Sequence, residues 1–261
     1  MSILAKMKTI WRIFNPVIIT VFISVNVHAQ PDQYSFDHSL FDELLKEYVD
    51  GNGMVNYESL SGKREQLNRY LRSLGNNPPP PDAVKNVQLA YWINLYNAFT
   101  TDLILQHYPL KSIKDIGGEA IPMVFATSPW EIEFVNISDT LYTLDKIEHE
   151  ILRKRFNEPR IHFALVCAAK SCPNLRREAY TADALEVQLN SQAINFLSDQ
   201  KKNKISRNNV ELSEIFDWYA EDFEKDQNLI TYLNQYTNAT IHPDANVSYI
   251  PFNWSLNDVN L

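Results

Sequence analysis

The chain has 261 residues, 45% of them hydrophobic and 21% charged, close to ordinary globular usage. A formal net charge of −8 argues against nucleic acid and anionic membrane as main partners, because both select basic patches. Six glycines are too few for a glycine-rich phosphate cradle, and two cysteines cannot form the multiple staples of a small secreted scaffold.

Lys6, Lys8 and Arg12 precede an apolar stretch from Ile13 to Val27, and Val27-His28-Ala29 offers a small-residue cleavage site. This is the pattern of a secretory signal. Asn15, Pro16 and Asn26 break the apolar stretch, leaving it short of the ~20 apolar residues that a membrane span needs. An uncleaved anchor is the alternative. Residues 1–29 are therefore expected to be a signal peptide, and residues 30–261 a single exported domain, periplasmic or extracellular. No later segment is apolar enough for a transmembrane span.

Phe36, Leu40, Phe41, Leu44, Leu45 and Tyr48 recur at helical spacing, and Asp50-Gly51-Asn52-Gly53 ends that helix. Met54–Tyr57 reads as a short strand. A helix bearing Leu60, Leu67, Tyr70, Leu71 and Leu74 follows and stops at Gly75. Pro78 to Pro81 form a stiff spacer. Residues 83–106 are apolar all round, which predicts a central buried helix, with Asn94, Asn97 and Thr101 sharing one face.

Trp130–Val135 alternates as a half-buried strand with a return at Leu141-Tyr142. Thr143 can cap a helix carrying Leu144, Ile147, Ile151 and Leu152. Ile161–Cys167 reads as a central strand against which the buried helix packs. Further helices are expected from about Ala182 to Leu197 and after a Ser213 cap, with a terminal strand over Tyr249–Leu256. The fold class is thus α+β: one helix-rich domain with a central buried helix packed on a small mixed or antiparallel sheet.

Five stretches stand out together: Trp92–Ala98, Ile147–Arg153, Pro159–Cys167, Ser171–Leu175 and Asn253–Asn257. In this order they resemble the family catalogued as domain of unknown function 547, over roughly residues 84–257. The N-terminal helices, residues 36–75, would pack onto that region. The family usually carries an aspartate before the tryptophan of the closing motif, where this chain has Asn253. The resemblance implies a fold and a habit of export, without an established activity.

The motif residues include Asn94, Asn97, Glu148, Arg153, Arg160, His162, Cys167 and Cys172. A thiol, an imidazole, an amide and a carboxylate are the ingredients of a cysteine hydrolase or acyl-transfer enzyme acting on amide or ester bonds. In that reading Cys172 is the nucleophile, favoured as a free thiol in a loop beside Lys170. Backbone donors after Pro173 would face an oxyanion, His162 is the base, and Asn97 or Glu148 orients it. Against this, a strand from His162 to Cys167 spans ~16 Å at ~3.3 Å per residue, so the loop to Cys172 would have to fold straight back.

The alternative is a non-catalytic module for a peptide, glycan or small molecule. There the asparagines are structural cross-links, Glu148 pairs with Arg153 or Arg160, and tyrosines and tryptophans grip the ligand. The cysteines are then joined or buried. Neither reading calls for a cofactor or metal: His38, His107, His149 and His242 are scattered and the cysteines lack metal-site spacing. Asn136, Asn238, Asn246 and Asn253 begin glycosylation sequons.

Overall fold

A computed structural model describes residues 34–117 and 128–261; the N-terminal basic and apolar stretch lies outside the described residues. Helix α1 (Ser39–Tyr48) buries Phe41, Leu44 and Leu45, the apolar stripe of its sequence. The turn after it is an Asx turn, in which the Asp50 carboxylate accepts from the backbone N–H groups of Asn52 and Met54. Gly53 there holds φ +74°, and Asn174 packs so closely that a Cβ would collide with it. The short strand expected next is reduced to Val55, which bridges Val49 and Asp258. The following helix comes as two, α2 (Tyr57–Ser61) and α3 (Arg64–Asn76).

Helix α4 (Lys85–His107) is the central buried helix, with every residue from Leu89 to Leu105 buried. α3 packs against it across the Pro78–Pro81 connection. Strand pairing begins at Val135 rather than Trp130, because Pro129–Glu131 forms a 3-10 turn. β1 (Val135–Ile137) and β2 (Thr140–Tyr142) form an antiparallel hairpin. Its two turn residues, Ser138 and Asp139, both have positive φ, the geometry that matches strand twist. The Thr143 hydroxyl accepts from Lys146 N and caps α5 (Leu144–Lys146). The chain continues through a π-helical turn, Ile147–Leu152, into α6 (Arg153–Arg155). Such turns are rare and concentrate at functional sites.

The expected central strand at 161–167 is instead a 3-10 turn, Pro159–Phe163, followed by irregular chain. Its physical reason is Asn97. From the middle of α4, Asn97 Nδ2 donates to Ala164 O at 2.9 Å and Val166 N donates to Asn97 Oδ1 at 3.0 Å. A side-chain amide thus satisfies backbone groups that a neighbouring strand would otherwise take.

The C-terminal part supplies α7 (Leu185–Ser198) and a mixed three-stranded sheet of β3 (Lys204–Ile205), β4 (Asn209–Ser213) and β5 (Asn246–Ile250). β4 lies antiparallel to β3 and parallel to β5. β5 stops before Pro251, so the terminal strand starts and ends earlier than the sequence suggests. The helix after Ser213 is split into α8 (Ile215–Trp218) and α9 (Ala220–Phe223), and α10 is Leu229–Leu233.

The fold class is α+β, as expected, but α4 does not rest on the sheet. The buried face of β4, Val210 and Leu212, is covered by a second apolar cluster with Phe163, Phe196, Phe216, Phe223 and Leu233. α4 centres the first cluster, with α1, α3 and the π-turn. Residues 34–261 form one compact unit. Among the described residues, no helix is long and apolar enough to cross a membrane.

Candidate functional site

Where the π-turn, the 3-10 turn Pro159–Phe163, α8 and the C-terminal loop meet, they enclose a pocket of about 330 Å³. That is the lower end of the range for small-molecule sites. One wall is aromatic: Trp130, Trp218, Tyr219, Phe252 and Trp254. Trp218 is 44% exposed, stacks on Trp254 at 5.8 Å and tilts against Phe252 at 4.9 Å. Lys114 lies 4.0 Å over the Trp254 ring. Asp145, Glu148, His149 and His162 contribute polar groups, and Cys167 and Cys172 also line the pocket.

The polar side is one connected network. His162, almost fully buried, places Nε2 2.7 Å from Asp222 Oδ2. Arg153 Nε and Nη2 donate to the two oxygens of the same carboxylate, the paired fork geometry that suits guanidinium to carboxylate. Arg153 Nη1 also lies 2.8 Å from His149 Nδ1. The Tyr219 ring stacks on His162 at 3.9 Å, and its hydroxyl donates to Glu148 Oε1 at 2.6 Å. Tyr96 donates to Glu148 Oε2 at 3.0 Å.

Burial raises the Asp222 carboxyl, but the hydrogen bonds from His162 and Arg153 outweigh it and hold the pKa well below the usual carboxylate range. Asp222 therefore stays ionised as acceptor for both cations or donors around it. Burial pushes the Tyr219 phenol up, and the neighbouring Glu148 pushes it further. It remains a protonated donor.

Of the four residues expected to form a catalytic set, the structure brings Cys172, His162 and Glu148 to one pocket and leaves Asn97 out. Asn97 and Asn94 are cross-links: Asn94 Nδ2 donates to Tyr180 O and Tyr180 N to Asn94 Oδ1. Glu148 does not orient His162; both of its oxygens are taken by tyrosines. Nor does it pair with an arginine. Arg153 goes to Asp222, and Arg160 to Glu158 and Glu186. The orienting carboxylate is Asp222.

Coiling of 161–167 removes the distance problem of a strand, so His162 and both cysteines reach the same cavity. The cysteines, however, are joined in a disulfide, and Cys172 has no free thiol in this state. Lys170 Nζ donates to Leu261 O, and no helix opens at Pro173, so the expected activating cation and helix-start oxyanion donors are not arranged around Cys172. Among the described residues, no group of three His, Cys, Asp or Glu side chains is placed to hold a metal ion.

Asp222, Tyr219 and the aromatic wall are absent from the sequence-derived set. Tyr219 and Asp222 lie three residues apart just after the Ser213 cap, a spacing that puts a hydroxyl and a carboxylate on one helical face. That was the available signal. The tryptophans converge from three separate segments, which no local spacing can reveal.

No curated protein and no solved structure matches the chain. Residues 82–197 match the model of the family described as "Protein of unknown function, DUF547". Four of the five motifs fall inside that match, while Asn253–Asn257, together with Tyr219, Asp222 and most of the aromatic wall, lies beyond it. The match to this family is confined to residues 82–197, the segment that carries most of the resemblance read from the sequence.

Proposed function

We propose that the protein is an exported binding module whose pocket takes a short, neutral glycan. The observation that carries this reading is the half-exposed Trp218 ring, backed by Trp254 and Phe252 and sharing its pocket with the carboxylates of Asp145 and Glu148. A sugar ring presents a C–H face that packs on an aromatic ring and an edge of hydroxyls that carboxylates accept. Asp145 and Glu148 disfavour an anionic ligand. A peptide could bind here by strand addition only at a free sheet edge, and the residues lining the pocket all come from helices, turns and loops. Export rests on the basic and apolar pattern of residues 1–29, and the Cys167–Cys172 disulfide suits an oxidising compartment.

The test is a panel of immobilised oligosaccharides. Retention of a neutral member by the wild type and its loss in Trp218→Ala supports the reading. Absence of any retention removes it.

One observation favours a second reading. His162, oriented by Asp222, shares the pocket with both cysteines, so a reduced form would place a thiol and a candidate base in one cavity as a thiol hydrolase requires. Ester hydrolysis that appears only after reduction and disappears in Cys172→Ser would support it.

A further inference from the structure

The loop from Cys167 to Cys172 is the wall between the aromatic pocket and a second, polar cavity, because Cys172 and Pro173 line both. Its two sulfurs are unequally placed. Cys172 is 2% exposed, while Cys167 is half-buried at the pocket edge. The Cys167 backbone N–H donates to Cys172 Sγ at 2.9 Å. The loop is also held independently of the sulfur bond. Lys170 N donates to Ser255 O and Asn257 N to Ala168 O. Asn253 N donates to the Ser171 hydroxyl and Ser171 N to Asn253 O. Ala168, inside the loop, sits at φ +57°, a conformation costly for a residue with a Cβ and found most often at functional sites.

We infer that Cys167–Cys172 is a thiol–disulfide exchange site for a small dithiol reductant entering the aromatic pocket, with Cys167 as the attacked sulfur and Cys172 as the leaving group. A thiolate of the reductant attacks Cys167 Sγ from the pocket. The Cys167–Cys172 bond breaks, and its electron pair passes to Cys172 Sγ, where the Cys167 N–H stabilises the thiolate. The second thiolate of the reductant then attacks its own sulfur in the mixed disulfide. This releases Cys167 and leaves the reductant as a cyclic disulfide. Two electrons and two protons move from reductant to protein. Because backbone hydrogen bonds keep the loop in place after reduction, the two thiols stay side by side; a small disulfide oxidant captured at Cys167 is then expelled by intramolecular attack of Cys172, taking the two electrons and leaving as two thiols. This inference is independent of the glycan reading, since it needs only an open pocket edge.

The experiment is alkylation and intact-mass analysis of native protein in dithiothreitol at a series of ratios to its oxidised form, with no denaturant. The disulfide is expected to open under native conditions and to reform when the reductant is replaced by oxidised glutathione, which is reduced to two thiols. Cys172→Ser, which leaves the accessible Cys167, should form a mixed disulfide with oxidised glutathione at least ~10-fold faster than Cys167→Ser. A bond that opens only after denaturation overturns the inference, as does equal capture by the two variants. Circular dichroism of each variant shows whether it folds; the wild-type series decides the question if either does not.

Discussion

His162 Nε2 and Asp222 Oδ2 lie 2.7 Å apart although 60 positions separate them in the chain. That contact ties the 3-10 turn to α9, and with Arg153 it draws in the π-turn helix as well. The polar side of the pocket depends on it.

Asp222→Asn should therefore destabilise the protein by about 1–3 kcal/mol, since it weakens the acceptor shared by Arg153 and His162. The carboxyl is held below its ordinary range when folded, so its contribution is present above the unfolded value, near ~3.9, and is lost as the pH falls further. Urea denaturation of both proteins between pH 3 and 7 checks this. The gap should be widest near neutrality and should narrow toward pH 3.

His38 carries a different pH dependence. Buried against Tyr70, with Nδ1 2.6 Å from the phenol oxygen, it is pushed down by burial from 6.5 to about 4. The unfolded chain protonates this histidine at the higher value, so between the two the unfolded state holds more protons. Stability is whole above 6.5 and falls as the pH drops toward 4, by at most ~1.4 kcal/mol per pH unit. His38→Gln should flatten that part of a stability–pH curve. An unchanged slope would show that other groups produce it.

Asn97→Leu should cost about 1–3 kcal/mol by leaving Val166 N–H and Ala164 C=O unpaired in the core, measured as a lower urea midpoint.

Much of this architecture is legible in the sequence because it is local. The all-round apolar character of α4, the Thr143 cap and the return at Leu141-Tyr142 follow from spacing within a few residues. What misled was the apolar run at 161–167, whose composition suits a strand equally well. Its coiled path is decided by Asn97, about seventy positions away, and no pattern inside the run records that. The site divides the same way. His162 and Glu148 stand in recognisable motifs, but the partner of His162 and the tryptophans arrive from later segments by tertiary packing alone.

The exported form should begin at Gln30, as the small residues before it imply. Intact-mass analysis of secreted or periplasmic protein reads this directly. An unprocessed Met1 would show that the segment is retained.

The most direct test of the binding account is tryptophan fluorescence during titration with the neutral oligosaccharides, in wild type and in Trp218→Ala. Trp218 is half-exposed and lies outside both apolar core clusters, so its removal should leave the fold intact. Saturable change in the wild type, weakened about tenfold or more in the variant, corresponding to ~1.4 kcal/mol of stacking, is the predicted result. Binding of equal strength in both proteins, or none in either, would contradict it.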